Sequence, residues 1–193
     1  MIKIAVFASG NGSNALNLFQ YFNQHPSITF VKIYCNNPKA GIIDKAKTHQ
    51  IACRCFTKNE WNSGVITSEL KNDKIDYIIL AGFLWLVPSA LINQFPNRII
   101  NIHPSLLPNY GGKGMYGMHV HQSIIKNKET ESGITIHLVN EEYDKGKILY
   151  QAKVDLSMDE TPESLASKIH FLEHKFFPVA VENYILEVNK KGP

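Results

Sequence analysis

The sequence lacks several features that would assign it to a large class of proteins. No apolar run approaches the length needed to span a bilayer. The first residues, MIKIAVFASGNGSN, contain no charged segment followed by a long apolar one, so we predict no signal peptide. The formal net charge is only +3, without the concentrated basic stripe that nucleic acid requires. We therefore expect small-molecule ligands, and neither a membrane nor a nucleic acid as partner.

Cysteine is also scarce. Cys35, Cys53 and Cys55 are odd in number and form no CxxC pair, which is typical of a protein kept in a reducing compartment. We predict strand packing as their role and the cytoplasm as the location. The 193 residues, of which 44% are hydrophobic and 19% charged, suffice for a sizeable core, and we predict one domain over residues 1–193.

Apolar strands alternate with helical patterns over the first half of the chain. Strand patterns cover 2–8, 28–35, 51–56, 77–81 and 98–103. Helical patterns begin near residue 15 and then cover 41–49, 60–71 and 88–95. This alternation indicates βαβ units. We predict an α/β fold of Rossmann-like type, with an open, mostly parallel twisted sheet and helices on both faces.

The pattern changes in the second half of the chain. A helix is predicted at 119–126, and strands at 133–139 and 147–156 lie too close in sequence for a crossover helix, so we expect them to pair antiparallel. Thr161-Pro162-Glu163 is a typical helix start. The predicted buried stripe of this last helix consists of Leu165, Ile169, Leu172, Phe176 and Val179.

Two polar residues stand near the end of the strand at 98–103, where open α/β sheets bind their ligands. Asn101 and His103 are two residues apart and therefore point to the same face of a strand. An amide donor beside an imidazole suits an oxyanion that develops next to a titratable group. A proline- and glycine-rich loop, PSLLPNYGGKGMYGM, follows. A polar strand end with an ordinary loop is the competing interpretation, and the spacing alone does not separate the two.

The sequence SGNGSN at 9–14 connects the first strand to the first helix. Such a turn presents backbone N–H groups at a helix N-terminus, a geometry that binds phosphate. The P-loop lysine is missing, and the dinucleotide fingerprint is incomplete because position 15 is alanine and Asn37 offers no acidic partner for a ribose. We predict a monophosphate ligand, with a tight turn that binds nothing as the alternative.

The remaining titratable residues allow two further hypotheses. Asp144 lies in the connection between the two late strands, where its carboxylate would pair with His103, raise the pKa of the imidazole and move protons. A solvated acidic turn explains the same residue. His119, His121 and His137 would suit a metal, but no Cys or Asp stands at ligand spacing beside them, so we predict no metal site.

Four motifs taken together resemble the phosphoribosylglycinamide formyltransferases, a family of folate-dependent enzymes: SGNGSN at 9–14, LAGF at 80–83, NIHPSLLP at 101–108 and D-x-G at 144–146. The similarity runs from Ile2 to about Tyr184. NIHPSLLP occurs in folate-dependent formyltransferases and hydrolases in general, whereas SGNGSN and the short chain favour the glycinamide ribonucleotide branch.

The resemblance implies a reaction and its substrates. A formyl group would pass from 10-formyltetrahydrofolate, a co-substrate, to the amine of glycinamide ribonucleotide in de novo purine biosynthesis. No metal is implied, and we expect a monomer or a weak homodimer. A 10-formyltetrahydrofolate hydrolase is the alternative enzyme, and a sugar-phosphate-binding domain without activity is the alternative outside catalysis.

The resemblance also implies roles for single residues. Asn101 and His103 would stabilise the oxyanion, and Asp144 would assist proton transfer. The substrate would be held by Gly10, Asn11, Gly12, Ser13 and Asn14 at its phosphate, and by His170 and Glu173 at its ribose and glycinamide. The folate would be bound by Asn101 and by two segments, Leu84, Trp85, Leu86 and Val87 in the first and Asn140, Glu141, Glu142, Tyr143 and Asp144 in the second.

Two departures from the family pattern concern the folate tail and a loop. Trp85 stands where many members have an arginine near the glutamate tail, and Ser63 replaces a second one. We therefore expect weak electrostatic binding of the tail. The loop at 111–118 is a few residues longer than the commonest form, and the sequence assigns it no role.

Overall fold

A computed structural model describes residues 1–190. These residues group into two compact units, one ending at Asn101 and one beginning at Ile102. The single domain over residues 1–193 stays a prediction, and its last three residues lie outside the described part. Between residues 1 and 190, no helix is long and apolar enough to cross a membrane.

The first unit is built on a parallel sheet. Its strands are β1 (Ile2–Ala8), β2 (Ile28–Cys35), β3 (Cys53–Cys55), β4 (Tyr77–Leu80) and the start of β5 (Ile99–His103). They lie in the order β3-β2-β1-β4-β5, and each neighbouring pair is parallel. β1 and β4 are buried over most of their length because both faces of these strands are covered, as their nearly continuous apolar sequences predict.

Five helices connect these strands: α1 (Ser13–Phe22), α2 (Ile42–Thr48), α3 (Lys58–Asn62), α4 (Val65–Asn72) and α5 (Ser89–Gln94). The single helix predicted over 60–71 is wrong. A capping box between Thr57 and Glu60 starts α3. Gly64, with φ at 82°, then ends that helical stretch and begins α4, because left-handed backbone cannot continue a right-handed helix.

The second unit contains α6 (Met118–Lys126), β6 (Glu131–Leu138), β7 (Ile148–Asp155) and α7 (Pro162–Lys190). β6 and β7 pair antiparallel from Glu131 opposite Asp155 to His137 opposite Ile148. The predicted α/β fold, with its mostly parallel strands, its late antiparallel pair and its C-terminal helix, is confirmed.

The last helix begins as predicted but buries a different stripe. The Thr161 hydroxyl accepts a hydrogen bond from the Ser164 N–H at 3.1 Å. The prediction is wrong beyond Ile169, since Val179 is exposed and the buried positions are Leu165, Ile169, Phe177, Pro178, Val181 and Ile185. Apart from Pro178, these positions are separated by multiples of four residues, so the buried face turns about 40° around the helix with each step of four.

Candidate active site

β5 delivers two polar side chains at the end of an isoleucine-rich strand. Ile99, Ile100 and Ile102 are buried, while Asn101 is half-buried and pairs in register with Leu80. His103, the last residue of the strand, is only 4% exposed. A buried imidazole at a strand end needs polar partners, and the loop that follows supplies them.

The loop after His103 is fixed by hydrogen bonds to β6 and β7. The buried Thr135 hydroxyl donates to the Ser105 carbonyl at 2.7 Å and accepts from the Leu107 N–H at 2.9 Å. The Gln151 amide donates to the Leu107 carbonyl at 3.0 Å and to Thr135 Oγ1 at 2.8 Å. Polar groups of NIHPSLLP are thereby satisfied inside the second unit, which gives the motif a defined shape.

The hydrogen bonds of His103 define the proton on its ring. Its Nε2 lies 2.8 Å from the Tyr110 carbonyl oxygen. A carbonyl only accepts, so Nε2 carries a hydrogen and donates it. The other nitrogen, Nδ1, lies 3.5 Å from Oδ2 of Asp144. The neutral ring therefore directs its lone pair at a carboxylate.

Asp144 is held by its backbone and by two glycines. Its φ of 57° lies in the left-handed region, which aspartate tolerates better than most residues. Oδ2 accepts the Gly112 N–H at 2.9 Å. A Cβ on Gly111 would lie 3.2 Å from Cβ of Asp144 and 2.5 Å from Cδ2 of Leu107, so a side chain there would require both neighbours to shift. The side chain is 11% exposed, which excludes the solvated acidic turn as an explanation.

His137 is a member of this cluster that sequence reasoning missed. Its Nε2 lies 3.6 Å from Oδ1 of Asp144, and its Nδ1–H donates to the Leu138 carbonyl at 2.8 Å. The ring is 2% exposed. The signal was available in the alternating β6 pattern, which places His137 at the strand end that leads into the Asp144 connection. The Asp144 carboxylate thus lies between two imidazoles. In each ring, the nitrogen that faces away from Asp144 donates its N–H to a backbone carbonyl.

Burial decides the charge of His103. Loss of solvation lowers its pKa below the usual value, and His137 lowers it further, which outweighs the raising effects of Asp144 and the Tyr110 carbonyl. Asp144 thus pairs with His103 and raises the pKa of the imidazole as predicted, but burial outweighs this effect, so the expected net rise is wrong. Burial raises the pKa of Asp144, but the His137 hydrogen bond, His103 and the Gly112 N–H together bring it below its usual value. At neutral pH the neutral imidazole of His103 therefore faces the ionised carboxylate of Asp144, and the pair can bind one proton between them.

Two other histidines flank this cluster in the sequence without forming a metal site. His121 is buried, and this burial, with a smaller effect of His103, lowers its pKa. His119 is exposed, with its ring 5.8 Å from that of Tyr116. Within residues 1–190, no three His, Cys, Asp or Glu side chains are grouped to hold a metal ion.

The N-terminus of α1 has the composition of an anion site. Gly12 caps the helix in left-handed conformation, no side chain caps the first turn, and that turn contains no acid. The first N–H groups of a helix and its dipole attract an anion when no side chain already does so. A Cβ on Gly12 would lie 2.3 Å from the side chain of Ile42 in α2, whereas one on Gly10 would meet nothing within 4 Å.

The strand end before this helix is fixed by several hydrogen bonds. Ser9 donates its N–H to the Gly82 carbonyl at 3.1 Å and accepts at its carbonyl from the Asn37 amide at 3.2 Å. Its hydroxyl accepts the Leu84 N–H at 3.0 Å. Ser9 therefore joins the start of the glycine loop to the start of segment 84–87.

Segment 84–87 rests on aromatic side chains of the first unit. The Trp61 indole N–H donates to the Leu86 carbonyl at 3.0 Å. The Trp85 ring contacts Phe56 at 5.8 Å between centroids, and Lys58 Nζ lies 4.4 Å from its centroid. Leu84 and Leu86 are 46% and 41% exposed, whereas Val87 is buried. The segment thus offers apolar surface and one cation beside Trp85.

The other predicted binding residues lie in the second unit. The Glu142 N–H donates to Asn140 Oδ1 at 3.1 Å, and Glu142 pairs with Lys145 at 2.5 Å. Glu141 is exposed and Tyr143 half-buried. On α7, His170 is exposed and Glu173 half-buried, and the His170 ring lies 4.0 Å from the ring of His174.

A comparison with protein families matches residues 2–181 to the formyl transferase model. The chain therefore belongs to the formyl transferase family. It is 40% identical over 182 residues to the chloroplastic phosphoribosylglycinamide formyltransferase of Arabidopsis thaliana, covering 91% of this chain and 62% of that protein. The chain thus spans somewhat less than two thirds of that relative's length.

Other relatives match over nearly their whole length. The phosphoribosylglycinamide formyltransferase of Bacillus subtilis is 31% identical over 198 residues, covering 100% of this chain and 98% of that protein. The crystal structure of the phosphoribosylglycinamide formyltransferase from Brucella melitensis has a TM-score of 0.84 at 33% identity, covering 95% of each chain. The resemblance seen in the sequence motifs is confirmed.

Proposed function

We propose that the chain transfers a formyl group from 10-formyltetrahydrofolate to the amine of glycinamide ribonucleotide, a step of de novo purine biosynthesis. The observation that carries the proposal is the buried Asp144 carboxylate between His103 and His137, at 3.5 and 3.6 Å. A buried carboxylate beside a neutral imidazole is a proton acceptor placed at a strand end. The names of relatives that match over nearly their whole length support the same reaction.

The proton that must move is supplied by the attacking amine. When the amine nitrogen attacks the formyl carbon, the formyl oxygen becomes negative and the nitrogen positive. A proton taken up between Nδ1 of His103 and Asp144 would form an imidazolium–carboxylate pair and relieve the unfavourable facing of lone pair and carboxylate. The N–H that this proton forms at Nδ1 of His103 would then also stabilise the oxyanion. The same proton leaves on the folate nitrogen when the tetrahedral carbon collapses.

Asn101 completes the polar set on β5. Its amide donates hydrogen bonds but does not titrate, so its proposed role is electrostatic, at the formyl oxygen. His137 is proposed as a positioning residue, because its ring lies against Oδ1 of Asp144 and its other nitrogen is fixed by the Leu138 carbonyl. It holds the carboxylate in the orientation that faces His103.

The ribonucleotide and the folate would bind to the segments described above. The phosphate is proposed to lie on the N–H groups at Gly10, Asn11, Gly12, Ser13 and Asn14, and the ribose and glycinamide at His170 and Glu173. The folate head group is proposed to lie on the exposed leucines of segment 84–87 and on segment 140–144. Lys58, which lies above Trp85, provides a cation where the family arginine is replaced.

An assay with both substrates tests the proposal. The protein is incubated with 10-formyltetrahydrofolate, with and without glycinamide ribonucleotide, and the release of tetrahydrofolate is followed. Release that depends on the ribonucleotide is the expected result. Equal release in both tubes would identify a hydrolase, and no release in either would identify a binding domain; both results contradict the proposal.

Two further properties are proposed with the function. Cys35, Cys53 and Cys55 are free thiols, which supports a reducing compartment, and we propose the cytoplasm. We also propose a monomer or a weak homodimer that uses small-molecule substrates, with the formyl folate as co-substrate and without a metal.

A further inference from the structure

The cysteines of the first unit form a cluster on one face of neighbouring strands. Cys35 ends β2 and lies in register opposite Cys55, which ends β3. Cys53 precedes Cys55 by two residues on the same strand and therefore points to the same face. Register and alternation therefore make Cys55 a neighbour of both other cysteines on this face. The sequence predicted only strand packing for these residues.

The three thiols differ in their access to solvent. Cys35 is fully buried, Cys53 is half-buried and Cys55 is exposed. Burial raises the pKa of the Cys35 thiol and raises that of Cys53 to about 11, because a thiolate is poorly solvated there. A soluble oxidant therefore reaches Cys55 first, with two protonated thiols behind it.

We propose that Cys55 and Cys35 form an oxidisable pair, in which a hydroperoxide oxidises Cys55 and Cys35 then closes a disulfide. In the first step the Cys55 sulfur attacks the peroxide oxygen, the O–O bond breaks, and Cys55 sulfenic acid and one water (or alcohol) form. In the second step the Cys35 sulfur attacks the sulfenic sulfur and expels a second water. Two thiols lose two electrons and two protons to one peroxide.

The strand geometry selects Cys35 over Cys53 as the partner. Residues in register on neighbouring strands lie about 4.8 Å apart, inside the Cα separations of about 4.4–6.8 Å found for disulfides. Residues two apart on one strand lie about 6.6 Å apart, at the upper limit of this range. β3 is also a short strand at the edge of the unit's sheet, so it can adjust when the bond forms.

Oxidation would reach the glycine loop through Asn37. The Cys35 thiol donates to the Asn37 carbonyl at 3.3 Å, and the Asn37 amide donates to the Ser9 carbonyl at 3.2 Å. A disulfide removes the thiol hydrogen and draws the Cys35 sulfur toward Cys55, so Asn37 loses one of its anchors. If the loop binds the substrate phosphate as proposed above, the ribonucleotide KM rises about 2- to 10-fold, the effect of one neutral hydrogen bond.

A peptide map tests the disulfide independently of any activity. Trypsin cleaves after Lys32, Lys39, Lys47, Arg54 and Lys58, so the three cysteines fall on the peptides 33–39, 48–54 and 55–58. The full chain is treated with hydrogen peroxide, blocked with an alkylating reagent and digested. A linked pair of 33–39 with 55–58, which dithiothreitol separates, is expected. A link to 48–54, or only singly oxidised Cys55, would overturn the proposal.

Matched variants separate the chemistry from its effect on the loop. Cys55→Ser abolishes the linked peptide and Cys53→Ser keeps it. Loss of the link in Cys53→Ser would contradict the assignment. In the formyl transfer assay, peroxide should raise the ribonucleotide KM of the wild type and of Cys53→Ser, but not of Cys55→Ser. A linked peptide without any change in KM would overturn the coupling to the loop, and no transfer activity at all would count against the proposed function instead.

Discussion

Asp144→Asn is the substitution that most sharply tests the proton-accepting role of the buried cluster. Asparagine has nearly the same shape and tolerates the left-handed backbone found at this position. Its amide oxygen can still accept the Gly112 N–H. What it cannot do is hold a proton between itself and Nδ1 of His103, since it has neither charge nor basicity. The fold should therefore survive while proton transfer is lost.

The expected magnitude follows from that single loss. Removing a positioned acid or base typically lowers kcat by about 100- to 10,000-fold, or about 3–5 kcal/mol of barrier. The KM of each substrate should stay within about threefold, because the charge that is lost acts on the transition state, whereas asparagine keeps the shape of segment 140–144. Unfolding in urea should show a stability within about 1 kcal/mol of wild type, the value of an ordinary hydrogen bond.

Steady-state kinetics of purified Asp144→Asn and of a matched control measure this effect. Glu131→Gln is the control, because Glu131 lies in the same unit but is exposed, pairs at the surface with Lys153 and has no role in the proposed site; its kcat should change less than twofold. The reasoning is refuted if Asp144→Asn keeps near-normal kcat. It is also refuted if Glu131→Gln loses as much as Asp144→Asn.

Three further predictions concern the same residues and the glycine loop. The double variant His103→Ala, Asp144→Asn should be barely slower than the poorer single variant, since both residues act on one proton; fully additive losses in kcat would show independent roles. Gly10→Ala should raise the KM of the ribonucleotide and leave that of the folate unchanged, because the new Cβ meets no protein atom within 4 Å. Gly12→Val should instead lower the urea midpoint, because its side chain would collide with Ile42. If Gly10→Ala raised the KM of the ribonucleotide and of the folate equally, the loop would have no specific role in phosphate binding. Burial lowers the pKa of His103, His121 and His174 in the folded protein. As the pH falls through about 6.5, the unfolded chain therefore takes up protons first, so the folding stability that is complete above this pH declines below it. Asp144, whose pKa is also lowered, adds a further loss of stability only below about 3.8. A urea midpoint that is unchanged or higher at about pH 5.5 than at about pH 7.5 would contradict this sign.

Local patterns predicted the strands and helices well because these depend on neighbouring residues. The nearly continuous apolar runs of β1 and β4 and the alternation in β6 sufficed for the fold class. The break at Gly64 was also a local signal, which the longer periodicity of residues 60–71 obscured. The stripe of α7 could not be predicted from an ideal helical period, because the buried face turns around a 29-residue helix.

The candidate site could be predicted only in part. Asn101 and His103 follow from strand spacing, but the weight given to Asp144 came from the family resemblance. His137 was missed although it stands at the end of β6, directly before the Asp144 connection, because strand alternation does not show which side chain the ring contacts. The lowered pKa of His103 results from burial of its imidazole. A sequence pattern does not show how far one side chain is removed from solvent, so this shift could not be predicted.

The fate of the formyl carbon tests the central claim most directly. The protein is given 10-formyltetrahydrofolate labelled with carbon-13 in the formyl group, together with glycinamide ribonucleotide, and the label is followed by NMR. The account predicts that the label appears as an N-formyl group on the ribonucleotide in a one-to-one ratio with tetrahydrofolate released, and that Asp144→Asn slows this appearance at least about 100-fold. Label that appears as free formate at the same rate with and without the ribonucleotide would contradict it.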